Sequence, residues 1–186
     1  MNKLLFVDTE TGGLDHETCS LLSVGLAVWQ EGRIVGKTEI LIMDTLITFS
    51  PEALKVNQID FRDFIKKAVR PDNAIRSIKE FCLEHFGDQE PITLAGHNVA
   101  FDIAFIKKLL KADFSKLFSH RSIETSSILK FLWMAGKIKD DCSASDKAFS
   151  YFEINIPHRH SALGDAIGTA ELYTKLLGLV KGSNQN

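Results

Sequence analysis

The order of the apolar segments constrains this chain most. Three strand-like runs come first, at residues 4–7, 21–29 and 34–43, and only later do short strands alternate with helical stretches. Glu31-Gly32-Arg33 breaks the second run from the third, so the pair reads as a hairpin beside a first buried strand. Proline at the first helical position marks helix starts at Ser50-Pro51-Glu52 and at Pro71-Asp72-Asn73. The second start is followed by Ile75, Ile78, Phe81, Cys82 and Phe86 at helical spacing. Residues 57–70 are polar and irregular enough to be partly loop. A short strand over 92–95 leads through Gly96-His97-Asn98 into a helix carrying Phe101, Phe105, Leu109 and Leu110. A short extended piece near Ser122-Ile123 precedes a helix over 125–135. Helical stretches follow over 143–152 and 161–180. A mixed sheet with helices packed on it follows from this order.

Composition narrows the class. The 186 residues predict one domain over 1–180 with a frayed tail at 181–186. Apolar residues at 45% supply a core and argue against disorder. A net charge of −2 and a pI near 6.3 argue against a bulk cationic coat for duplex nucleic acid, leaving room for a local basic rim. No apolar run approaches the roughly 20 residues of a membrane span, and the apolar start is too short for a secretory leader. Cys19, Cys82 and Cys142 are odd in number and far apart, which suggests neither a disulfide framework nor a zinc knuckle. A reduced, cytoplasmic protein is expected.

Three clusters of side chains stand out against this plain background. Asp8 and Glu10, in Phe6-Val7-Asp8-Thr9-Glu10-Thr11-Gly12-Gly13-Leu14, end the first strand two residues apart, so both point to one face. They are either a solvated strand end or a pair of hard oxygen ligands for Mg²⁺ or Mn²⁺, which would relieve their mutual repulsion. Gly12-Gly13 would then let backbone N–H groups approach a ligand closely. In the second cluster, Asn98 reads as an N-cap and Asp102 sits one turn later on the same face. Asp102 also fits a simple dipole-stabilised acid, and Phe101 and Phe105 also fit a core pair. In the third cluster, His160 and Asp165 are five residues apart, about 140° around a helix, and share no helical face. They converge only if His160 stands before the helix and Asp165 in its early turns. A histidine so placed titrates near neutrality, as a general base should, although a surface His158–His160 pair is the plain alternative.

Taken in order, these motifs resemble the DnaQ-like (DEDDh) 3′–5′ exonucleases of the RNase H-like fold, over nearly the whole chain. The resemblance implies an α/β fold whose mixed central sheet has three antiparallel strands, then parallel ones, flanked by helices. It implies that Asp8, Glu10 and Asp165 hold the tighter of two Mg²⁺ or Mn²⁺ ions and that Asp8 reaches the second. Asp102 would support the site mainly through water, with His160 as general base and Glu10 beside it in catalysis. Gly12, Gly13, Leu14, His97, Asn98, Phe101 and Phe105 would line the pocket for the terminal nucleotide. The implied reaction releases 5′-mononucleotides from single-stranded 3′ ends of DNA or RNA by in-line displacement between two metals. A non-catalytic nucleic-acid-binding or polymerase-associated module on the same fold is the alternative, and a homodimer or a polymerase partner stays open. Two departures stand out: Glu124-Thr125 where relatives often have Asp-Thr, and Asn57-Gln58-Ile59 where they often have His-Gly-Ile. The groups Lys107-Lys108-Lys111, Arg62-Lys66-Lys67-Arg70 and Lys137-Lys139 are candidates to guide a strand, or plain solvated faces.

Overall fold

A computed structural model describes residues 3–50, 61–88, 90–156 and 161–182. The Ser50-Pro51-Glu52 helix start and the Asn57-Gln58-Ile59 stretch lie largely or wholly outside the described residues, as do His158 and His160. Strands β1 (Lys3–Thr11), β2 (Leu21–Gln30) and β3 (Arg33–Leu41) form an antiparallel meander. Helices α1 (Phe61–Lys67) and α2 (Pro71–Phe86) follow, then β4 (Ile92–Gly96) and α3 (Val99–Leu110). A short helix α4 (Phe114–Leu117) leads into β5 (Phe118–Glu124), and α5 (Thr125–Met134), α6 (Ser145–Tyr151) and α7 (Ala162–Gly182) complete the order. The sheet runs β3-β2-β1-β4-β5, with β4 parallel to β1 and β5 parallel to β4. The expected mixed sheet, antiparallel then parallel, is the sheet observed.

Local chemistry accounts for most of these elements. Glu31 and Gly32 both take positive φ, 52° and 85°, so a two-residue mirror-image turn joins β2 to β3 with the strand twist preserved. Strands β1 and β2 are covered on both faces, which is why their sequences read as unbroken apolar runs. On one face Leu5, Val7, Val24 and Leu26 pack with Ile78 of α2 and Ile106 of α3. On the other, Leu4, Phe6, Ala27 and Trp29 meet Ala166 and Ala170 of α7. Small alanines let that helix lie close to the sheet. A satellite cluster of Leu129, Leu132, Phe149, Leu172 and Leu176 ties α5 and α6 to the back of α7.

Within the 57–70 stretch, expected to be partly loop, Phe61–Lys67 forms α1, whose one described core residue is Phe64. Two expectations need correction. Strand β5 begins at Phe118, earlier than the piece expected near Ser122, because polar Ser119, His120 and Arg121 lie on an exposed sheet edge. Finally, α7 continues through Lys181 to Gly182, two residues into the stretch read as a frayed tail.

Candidate active site

The acids of the first motif stand where β1 runs out from under α7. Leu4, Phe6, Asp8 and Glu10 share one face, and their cross-strand partners on β2 are Trp29, Ala27, Gly25 and Ser23. Gly25 matters because the first turn of α7 crosses directly above it. A Cβ there would lie 2.1 Å from the Ala162 carbonyl carbon and 2.3 Å from the Leu163 amide nitrogen. That close approach brings Asp165, in the first turn of α7, over the strand end. Ser161 caps the helix, its Oγ accepting from Gly164 N–H at 3.1 Å and its carbonyl from Asp165 N–H at 3.0 Å. The result is a half-buried group of Asp8, Glu10 and Asp165 whose carboxylate oxygens can all lie within 4.8 Å of one another.

Asp102 takes a different position. Thr9 points to the opposite face of β1 from Asp8 and Glu10, toward α3, and its hydroxyl donates to Asp102 Oδ1 at 2.7 Å. Asp102 is 4% exposed and does not join the three-acid group. Burial pushes its carboxyl up to about 7, the charge of Glu124 adds to the rise, and the Thr9 hydrogen bond works against both. A raised folded pKa makes the folded state hold a proton that the unfolded chain releases above about 3.8. Stability of the metal-free protein should therefore fall as pH climbs from about 4 to about 7. Asp102→Asn keeps an acceptor for Thr9 and carries no charge. Its Tm in EDTA should match wild type near pH 4 and exceed it at pH 8, and a constant gap across that range would refute the buried charge.

The start of α3 is held by a residue whose role the sequence did not disclose. Asn98 was expected to cap the helix, but it sits in the left-handed region (φ 61°, ψ 39°) with no side-chain cap. Glu124 takes over. Its Oε1 accepts from the backbone N–H of Asn98 at 2.8 Å and of Ser126 at 3.0 Å, and its Oε2 from Val99 at 2.7 Å. One carboxylate thus closes the N-termini of both α3 and α5. Thr125 adds a second tie: its hydroxyl donates to the Gly96 carbonyl at 3.0 Å and stands 3.0 Å from His97 Nδ1. With the hydroxyl proton on Gly96, His97 Nδ1 is the donor in that contact.

The pocket-lining candidates separate on inspection. Leu14 is 88% exposed on the loop that leaves β1. Gly12 and Gly13 are buried and serve the chain itself: Gly12 N–H donates to the Ser20 carbonyl at 2.7 Å, and its carbonyl accepts from Ser50 N–H at 2.6 Å. A Cβ on Gly12 would lie 2.0 Å from the Thr48 carbonyl oxygen, and one on Gly13 would lie 2.6 Å from Cys19 Sγ. The glycines admit residues 48–50 across the loop, so the bare amide expected of Gly12 is already engaged. Phe105 is 1% exposed and supports Phe101, with ring centroids 5.1 Å apart, so Phe101 is the more accessible of the two rings. Lys108, grouped with lysines that could guide a strand, instead donates to the carbonyls of His16 at 2.6 Å and Glu17 at 2.7 Å, fastening the β1–β2 loop to α3.

Three convergent carboxylates form a hard, anionic donor set that suits Mg²⁺ or Mn²⁺. Together with the mixed sheet, these acids form a candidate cation site at the end of β1. The exonuclease family model (RNase_T) matches residues 5–173, and the chain belongs to this family of DnaQ-like exonuclease domains. Among curated relatives, the chain is 27% identical over 172 residues to a PolC-type DNA polymerase III of Caldanaerobacter subterraneus subsp. tengcongensis, covering 91% of this chain and 11% of that one. It is 24% identical over 186 residues to ribonuclease T of Shewanella denitrificans, covering 92% of this chain and 78% of that one. The chain therefore spans about a tenth of the polymerase relative's length. Among solved structures, exonuclease I of E. coli in complex with a dT13 oligonucleotide superposes with a TM-score of 0.79 at 13% identity, covering 99% of this chain and 43% of that one.

Proposed function

We propose that this chain is a divalent-cation-dependent 3′–5′ exonuclease that releases 5′-mononucleotides from single-stranded ends. The observation that carries the reading is the convergence of Asp8, Glu10 and Asp165 at one strand end. Asp8, Glu10 and Asp165 would hold the cations, two in the full reading. Bound there, they would neutralise charge on the scissile phosphate and favour both the attacking and the leaving oxygen. Asp102, anchored by Thr9, backs the site from the far face of β1. In the proposed reaction, His160 takes the proton of the attacking water in its neutral form and returns it to solvent. In the sequence it directly precedes Ser161, the residue that caps α7. Exposed Leu14 offers an apolar face for the terminal base, and Phe101 and His97, the latter held by Thr125, are the further candidates to line its pocket. Base stacking on such a surface contributes about 1–3 kcal/mol per base without reading sequence.

The single-stranded oligonucleotide held by exonuclease I supports a single strand as substrate, and ribonuclease T keeps RNA beside DNA. Similarity to PolC-type polymerases favours, as a second reading, the same activity in a polymerase-associated setting. Three buried, unpaired cysteines suit a reduced, cytoplasmic environment, and no helix among the described residues is long and apolar enough to cross a membrane. The test offers 5′-labelled single-stranded DNA and RNA with Mg²⁺, Mn²⁺ or EDTA. The expected result is a ladder of products that keep the label and shorten nucleotide by nucleotide, silent in EDTA. Early release of the label would reverse the polarity, and tight binding without cleavage in either metal would favour the non-catalytic module.

A further inference from the structure

The sheet face beneath α7 carries one more polar group. Ser23 lies directly across the ladder from Glu10, as Gly25 lies across from Asp8. It interrupts the run Leu21-Leu22-Ser23-Val24-Gly25-Leu26 at a position where an apolar residue would complete the core. Ser23 is 1% exposed, and its hydroxyl is the one buried side-chain oxygen or nitrogen among the described residues that meets no hydrogen-bond partner. Leaving such a group unpaired is costly, so its retention calls for a reason. Its neighbour supplies one: the facing side chain on the same side of the sheet is a carboxylate of the three-acid group.

We propose that Ser23 is a positioning residue for Glu10, its hydroxyl donating to a Glu10 carboxylate oxygen, directly or across one water, once the acid cluster holds a cation. The proposal rests on the cation-dependent reading above. Carboxylates that ligate metals are themselves hydrogen-bonded, and removing such a partner weakens metal affinity about 10–100-fold. A hydroxyl suits this position because it adds a donor without adding charge to a group that already has three acids. Its small side chain also leaves room for the first turn of α7, which crosses the adjacent Gly25 with no space to spare.

Calorimetric titration of Mn²⁺ into metal-free protein, without nucleic acid, tests the proposal alongside the Tm of the metal-free form. Ser23→Ala should bind Mn²⁺ about tenfold more weakly than wild type, while its metal-free Tm holds or rises because the unpaired hydroxyl is gone. A variant that binds Mn²⁺ as tightly as wild type overturns the role of Ser23 and leaves the acid cluster standing. A clear drop in metal-free Tm would mean that the hydroxyl serves the fold, and it overturns the proposal as well. Wild-type protein that takes up no Mn²⁺ overturns this proposal together with the cation-dependent reading.

Discussion

Asp8→Ala should reduce release of 3′ nucleotides by about three orders of magnitude while leaving the metal-free fold intact. Asp8 is one of three carboxylates whose oxygens converge at the end of β1. Removing it leaves two acids to hold and orient a divalent cation. Cations in such sites supply several kcal/mol of charge stabilisation, and about 4 kcal/mol corresponds to roughly a thousandfold in rate. The same substitution relieves like-charge repulsion in the metal-free protein, so its Tm in EDTA should equal or exceed that of wild type. The pairing of lost turnover with an unharmed Tm separates a chemical role from a structural one. Activity within tenfold of wild type would remove Asp8 from the site.

The second large effect comes from a residue that touches no substrate. Gly25→Ala places a methyl group 2.2 Å from the Ala162 carbonyl oxygen, against backbone that cannot rotate out of the way. Either β2 must shift or the first turn of α7 must lift from the sheet, and that turn carries Asp165. Overpacking of this kind costs about 1–3 kcal/mol or more, a fall in Tm of roughly 2–12 °C for a domain of this size. Activity should fall with it, and the Mg²⁺ concentration for half-maximal rate should rise because Asp165 is displaced from Asp8 and Glu10. Gly178 is the control on the same helix: a Cβ there meets nothing within 4 Å, so Gly178→Ala should stabilise by about 0.5–1 kcal/mol through helix propensity. If Gly25→Ala behaves like Gly178→Ala, the close approach of α7 to β2 is wrong.

What could be read from the chain beforehand was whatever depends on spacing along it. Asp8 and Glu10 share a strand face by period alone, and Asp165 in the first turn of the final helix follows from apolar periodicity after Ser161. The hairpin at Glu31-Gly32 and the helix start at Pro71 were legible for the same reason. Features that depend on two distant segments meeting were not legible. Glu124 caps a helix that begins at Val99, a pairing that exists only because β4 and β5 lie side by side. Nothing local marks Thr9 as the anchor of Asp102, since the contact spans 93 positions of sequence. The Gly12-Gly13 pair was read toward a ligand, whereas the packing partner is residues 48–50 of the same chain. A local signal does exist for the crossing of α7: a glycine inside the apolar run of β2 marks close approach of another backbone, and Gly25 is such a glycine.

The function proposed for this chain depends on where divalent cations settle. Crystals soaked in Mn²⁺, with diffraction collected at the manganese edge, report that position without reference to activity. Anomalous density enclosed by the carboxylates of Asp8, Glu10 and Asp165 is the predicted result. Density elsewhere on the protein, or none between these three acids in crystals that have taken up Mn²⁺, would contradict it.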